Sequence, residues 1–172
     1  MAIRNKNPTG AELRSIEPFR GNKHLFFALA LAILITDQIT KYFAQSIAAP
    51  IQLTPYLSLT LVKNTGSAFG LVHNANLFLS VATTCVIIGI IYSTKTITRN
   101  KLTSIAFGLV LGGGIGNLID RIHLGFVIDF LDLHFWPTFN FADSAITCAI
   151  IILLTHELFP NQFTTLTRGK TQ

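Results

Sequence analysis

Residues 102–121, LTSIAFGLVLGGGIGNLIDR, decide what kind of protein this is. No charge occurs between Leu102 and Ile119, and a helix of roughly 20 such residues crosses ~30 Å of hydrocarbon. Gly112, Gly113, Gly114 and Gly116 lie inside the run. Gly112 and Gly116, four apart, put hydrogens rather than side chains on one helix face, where a second backbone can approach. Tight helix packing accounts for these glycines, and without a following Gly-Lys-Ser/Thr they are not a phosphate loop. The run ends at Asp120 and Arg121. Carboxylates beside hydrocarbon are expensive and as a rule functional.

Working outward, three more stretches have spanning length: Leu25 to Ala44, Ala75 to Ser93 and Phe139 to Phe159. The sequence therefore predicts an integral membrane protein, mainly α, with four transmembrane helices. Composition agrees: half of the 172 residues are hydrophobic and 12% are charged, against roughly 25% charged in soluble domains. The spans leave room for a single membrane domain, residues 24–160, between tails at 1–23 and 161–172. Lys23 before an apolar run resembles the start of a signal peptide, but Asp37 and Lys41 interrupt the run and no small-x-small cleavage site follows. The first span is expected to stay in the protein.

The net charge of +5 suggests nucleic acid only until the cations are placed. Arg4, Lys6, Arg14, Arg20 and Lys23 precede the first span; Lys95, Arg99 and Lys101 separate the second from the third; Arg168 and Lys170 follow the fourth. With four spans these segments share one side, which the positive-inside rule makes cytoplasmic. No soluble surface collects the cations, so nucleic acid is not an expected partner. Both termini are then cytoplasmic, and the acids gather on the opposite, outward face.

Between the first two spans Ile51, Leu53, Leu57, Leu59 and Leu61 alternate with Gln52, Thr54, Ser58 and Thr60. This period of two predicts a small extended or β segment on the outward side, lying on lipid headgroups, roofing a cavity or merely packing. Asn64 to Gly70 returns the chain to the second span through small and turn-forming residues.

Asp37 and Lys41, four apart on the first helix, form a neutralising pair. Asn117 lies three and four residues before Asp120 and Arg121, close enough to meet both, and Arg121 can clamp a carboxylate with two parallel hydrogen bonds. Asp129 sits in the apolar segment Gly-Phe-Val-Ile-Asp-Phe-Leu-Asp, re-entering from the exterior. Asp143 follows Asn140, a fitting helix cap. If Asp129 and Asp143 face each other they share one proton. Such a dyad suits peptide hydrolysis: the ionised carboxylate takes a proton from water and the protonated one donates to the scissile carbonyl. Spacing alone does not choose between this dyad and carboxylates paired at helix ends, and intramembrane acids also serve proton pathways.

Metal and nucleophile chemistry fit poorly. His24, His73, His123, His134 and His156 show no ligand spacing, and Ser67 and Ser144 lack a nucleophile elbow or a paired base. Cys85 and Cys148 read as small packing residues in mid-span. No metal or cofactor is expected.

Five segments in order then resemble the lipoprotein signal peptidase (signal peptidase II) family of bacterial aspartyl proteases: Asp37-Gln38-Ile39-Thr40-Lys41, Asn64-Thr65-Gly66-Ser67-Ala68-Phe69, Gly112 to Arg121, Val127-Ile128-Asp129-Phe130, and Phe139 to Ser144. The resemblance runs from about Leu25 to Phe159. It implies Asp129 and Asp143 as the catalytic dyad, Asn64, Asn117, Arg121 and Asn140 as site-lining residues, and Asp37, Lys41, Gly66 and Asp120 as supports. It also implies a bacterial inner-membrane enzyme with its site at the periplasmic face. The implied substrate is a diacylglyceryl-modified prolipoprotein cut before its lipidated cysteine, held on a membrane-surface cradle near Phe69. Membrane lipids are implied partners and globomycin-type peptides implied inhibitors. Two readings from other classes are a carboxylate-based proton or cation carrier, which predicts ion flux without cleavage, and a non-catalytic scaffold indifferent to Asp129→Asn or Asp143→Asn.

Overall fold

A computed structural model describes residues 22–66 and 75–159. The cytoplasmic tails expected at both ends, and Ser67, Ala68, Phe69 and His73, lie outside the described residues.

Among the described residues four helices are long and apolar enough to cross a membrane: α1 (Lys23–Ala44), α2 (Ala75–Tyr92), α4 (Lys101–Leu124) and α5 (Phe141–Leu158). A single-turn helix, α3 (Thr94–Ile97), follows α2. On the other side of the spans, β1 (Ile51–Thr54), β2 (Leu57–Asn64) and β3 (Val127–Asp132) form an antiparallel sheet in the order β1-β2-β3.

The bundle is arranged around α4, against which α1, α5 and α2 each pack. The glycines explain this. A Cβ on Gly108 would lie 2.8 Å from the Phe26 carbonyl oxygen, and one on Gly112 would collide with that of Ala30, so one glycine edge of α4 lies on the backbone of α1. Gly113 does the same for α5, with the Ala142 carbonyl oxygen 2.7 Å from the Cβ position, and Gly116 leaves room for the Asp37 carboxylate. Without a hydrophobic drive between helices in lipid, such close approach supplies the packing. The outer faces of the spans carry exposed Leu31, Ile35, Val81, Ile88, Ile151 and Leu154.

Several boundaries differ from expectation. The third span runs past Ile119 to Leu124, so Asp120 and Arg121 are inside the helix rather than beyond its end. The carboxylate of Asp120 does not stop it because it is paired with Lys41 within the protein; Gly125 does, in the left-handed region at φ 80°, where its N–H reaches the Arg121 carbonyl. α2 ends at Tyr92 rather than Ser93, and α5 begins at Phe141, capped by Asn140.

The segment containing Asp129 is not a simple re-entrant apolar run. It is a third strand, paired with β2 through Val62 and Asp129. Nor does the apolar alternation become burial throughout. Leu59 and Leu61 pack with Ala44, Ile128 and Phe130 over the outer end of α1, but Ile51 and Leu53 on the edge strand are exposed, and the most buried residue of β2 is Ser58. Its hydroxyl meets Thr60 Oγ1 and His134 Nε2, each at 3.2 Å. Cys85 and Cys148 are exposed on their helices rather than packed inside.

Candidate functional site

Strand geometry turns Asp129 inward. Successive residues of β3 point to opposite faces, and Ile128 and Phe130 pack on the apolar cluster above α1, so Asp129, 1% exposed, faces the other way, toward α4 and α5. Its Oδ2 accepts from Asn64 Nδ2 and its Oδ1 from Asn140 Nδ2, both at 2.8 Å. Asn64 is held in turn, its Oδ1 accepting at 2.8 Å from the N–H of Gly66, which sits at φ 75°.

Asn140 joins the two carboxylates. As N-cap of α5 it accepts from the Asp143 N–H at 2.9 Å, while Asp143 Oδ2 accepts the Asn140 N–H at 3.2 Å, a reciprocal capping box. The fully buried Asn140 amide also donates toward Asn117 Oδ1 at 3.1 Å and the Ile128 carbonyl at 3.3 Å. One residue thus contacts the carboxylates of both Asp129 and Asp143, brought together from a strand and a helix. Burial, and secondarily the charge on Asp143, push the Asp129 carboxyl up to about 6, against the pull of the Asn64 and Asn140 donors.

A buried scaffold lies behind them. Lys41 Nζ, 2% exposed, contacts Asp37 Oδ2 at 2.8 Å, Asp120 Oδ2 at 2.9 Å and Asn117 Oδ1 at 2.9 Å, one acceptor for each ammonium hydrogen. Asp37 Oδ1 accepts the Ala142 N–H at 2.9 Å, tying α1 to the first turn of α5. Asp120 accepts from the Ile128 N–H at 3.1 Å and Gln38 Nε2 at 3.2 Å, tying α4 to β3 and α1. Asn117 Nδ2 then donates to Asp143 Oδ1 at 2.8 Å.

The Asp37–Lys41 pair expected from spacing forms, and it extends to Asp120. Asn117, by contrast, does not bond Asp120 or Arg121; its partners are Lys41, Asn140 and Asp143, because residues three and four apart on a buried helix are set by what packs against them. The Arg121 clamp is corrected too. Among the described residues Arg121 forms no ion pair within 4 Å, although the charges of Asp143, then Asp129 and Asp120, act on it. Sequence reasoning assigned no role to Gln38 or to the N–H groups of Ile128 and Ala142, which bond acids 82, 8 and 105 residues away. No local signal marks such partners.

Ser144 Oγ donates to the Asn140 carbonyl at 3.0 Å as part of the helix start. Among the described residues no group of three His, Cys, Asp or Glu is arranged to hold a metal ion. Beside Asp143 opens a largely apolar cavity of about 390 Å³ lined by Leu133, Phe135, Trp136, Phe139, Ser144, Thr147 and Cys148. Two carboxylates in contact with one asparagine, one of them pushed toward neutrality, beside an apolar recess at the sheet-bearing end of a helical bundle, have the parts for acid–base hydrolysis of a membrane-held substrate.

Known proteins agree with this architecture. Residues 29–159 match the family described as Signal peptidase (SPase) II. A lipoprotein signal peptidase of Francisella tularensis subsp. novicida is 39% identical over 78% of this chain and 91% of its own length. Another, from Caldanaerobacter subterraneus subsp. tengcongensis, is 44% identical over 70% and 87%. Among solved structures, a bacterial membrane enzyme determined by the in meso method at 1.9 Å superposes with a TM-score of 0.73 at 30% identity, covering 79% of this chain and 94% of that one. This multi-pass membrane protein therefore belongs to the signal peptidase II family of proteases.

Proposed function

We propose that the chain removes the signal peptide from diacylglyceryl-modified bacterial prolipoproteins, cutting before the lipidated cysteine, with Asp129 and Asp143 as an aspartyl dyad. The observation that carries this reading is the shared contact of both carboxylates with Asn140, Asp129 at 2.8 Å through Nδ2 and Asp143 at 3.2 Å through the backbone N–H. Two acids so placed hold one proton between them over a range of pH. The ionised member takes a proton from water as its oxygen attacks the scissile carbonyl, and the protonated member donates to the carbonyl oxygen. Asn64, Asn117 and Asn140 orient the dyad, Arg121 adds positive charge to the site, and Asp37, Lys41, Gly66 and Asp120 support them.

The membrane setting follows from the substrate. A diacylated chain leaves the bilayer only at a cost of roughly 0.8 kcal/mol per methylene, so its protease must act at the membrane surface. The sheet and the apolar cavity lie together at one end of the spans, an arrangement that suits such a substrate. The basic residues at 1–23, 94–101 and 161–172 support a reading in which both termini are cytoplasmic and the dyad works at the periplasmic face of the inner membrane. Globomycin-type peptides are expected to block the dyad.

The test is gel-shift cleavage of a diacylglyceryl-modified prolipoprotein by purified protein in detergent, against Asp129→Asn and Asp143→Asn. Wild type should cut only the lipidated substrate, and both folded variants should be inactive. A folded wild type that does not cut, or either variant retaining near-full activity, would remove the dyad and favour an ion carrier, assayed by flux in proteoliposomes.

A further inference from the structure

The dyad is not symmetric, and its surroundings differ in a way that bears on which acid does which work. Resting on the peptidase reading above, we propose that Asp143 is the base and Asp129 the proton carrier, and that Asn117, clamped by Lys41, is the positioning residue that fixes this polarity.

The Asn117 amide could in principle turn either its oxygen or its nitrogen toward Asp143. Lys41 Nζ, which has hydrogens and no acceptor, holds Asn117 Oδ1 at 2.9 Å, and Asn140 Nδ2 approaches the same oxygen at 3.1 Å. The Asn117 Nδ2 hydrogens are therefore left to face Asp143 Oδ1 at 2.8 Å. A donor fixed in this direction favours a carboxylate over a carboxylic acid. Three more features favour negative charge on Asp143. It occupies the first turn of α5, at the positive end of the helix dipole; its Oδ2 accepts the Asn140 N–H; and among the acids whose charge acts on Arg121 it comes first. It is also half-buried, whereas Asp129 is 1% exposed on a strand. Burial and the neighbouring Asp143 raise Asp129 to about 6. The other charged groups around the pair are Lys41 and Asp37 on α1 and Asp120 on α4, joined to one another as a buried set. α2 contributes no charged residue.

The reaction then balances with no outside partner. Asp143 takes a proton from water as the water oxygen bonds to the scissile carbon, and the Asp129 proton passes to the carbonyl oxygen, giving a gem-diol. Asp143 next delivers its proton to the leaving nitrogen as the C–N bond breaks. Asp129 recovers a proton from a gem-diol hydroxyl, and the dyad returns to its starting state.

The two donors make the assignment testable, since each acts on a different limb of the pH profile. Removing a donor to the base makes the active form harder to reach from the doubly protonated one. Removing a donor to the acid makes the active form harder to leave at high pH. Asn117→Ala should move the acidic limb of kcat/KM upward by about one to two pH units and leave the alkaline limb in place, whereas Asn64→Ala should move the alkaline limb upward by a similar amount. The opposite pairing of variants and limbs, or no shift in either, overturns the assignment. A merely structural role would lower activity without moving one limb.

If Asn117→Ala fails to fold, infrared difference spectra between pH 5 and pH 8 decide. The protonated-carboxyl band should persist in Asp143→Asn and be lost in Asp129→Asn, and the reverse overturns the proposal. A folded wild type that never cuts sinks the peptidase reading, while the infrared arm still reports where the proton resides.

Discussion

Replacing Asp129 with asparagine should change the pH dependence of stability by a calculable amount. A carboxyl raised from 3.8 to about 6 binds its proton more tightly in the folded than in the unfolded chain. Below 3.8 both states hold the proton and burial carries no charge penalty. Between 3.8 and about 6 only the folded state holds it, so stability falls as pH rises, and above about 6 the full penalty is present. At roughly 1.36 kcal/mol per pH unit this is about 3 kcal/mol, which for a chain of this size corresponds to roughly 6–12 °C in Tm. The substituted amide carries no such penalty, but one of the donors from Asn64 and Asn140 would then face an amide nitrogen, costing about 1–2 kcal/mol at every pH. The loss cancels when the variant's Tm minus that of wild type is followed by circular dichroism in detergent from pH 4.5 to 8. The difference should rise across that range by several degrees, most of it complete by pH 7. Because Asp143 contributes to the shift, the change belongs to the pair. A difference that stays flat within about a degree, or falls, would refute the buried and partly repelled state of Asp129.

Other consequences are simpler. Lys41→Met strips the counterion from Asp37 and Asp120, both buried, and should destabilise by about 3–5 kcal/mol in detergent unfolding. Gly112→Ala places a methyl against the Ala30 carbonyl and should cost about 1–3 kcal/mol, whereas Gly89→Ala, with nothing within 4 Å, should be neutral or stabilise by up to about 1 kcal/mol; equal effects would discount the glycine contact of α1 with α4. Asn140→Ala should lose about 1 kcal/mol of helix cap and lower kcat about 10²-fold or more, measured by cleavage at saturating substrate.

What the sequence discloses here is what depends on near neighbours. Hydropathy located the four spans, spacing of four paired Asp37 with Lys41, and an asparagine three residues before an acid marked the start of α5. β3 was hidden because Val127–Phe130 is buried at every position, leaving no alternation to read. The end of α4 was misplaced because Asp120 and Arg121 look like a membrane boundary, although Asp120 is neutralised within the fold. The partners of Asn117 and Arg121 depend on which helices meet, and no spacing encodes that. Ser58 was read as the polar side of a strand, but His134 reaches over to cover it.

The grip of Asp37 on the Ala142 N–H has a bearing on how this site can vary. The start of α5, and with it the height of Asp143, is set by α1; the Leu131–Phe139 bridge pins the incoming chain next to β3. Both feet of the connecting loop are therefore anchored independently of its interior, where Phe135 and Trp136 form one wall of the cavity beside Asp143. The segment between Leu133 and Thr138 can therefore change shape at the cavity wall while its two ends, and the carboxylates beside them, keep their places.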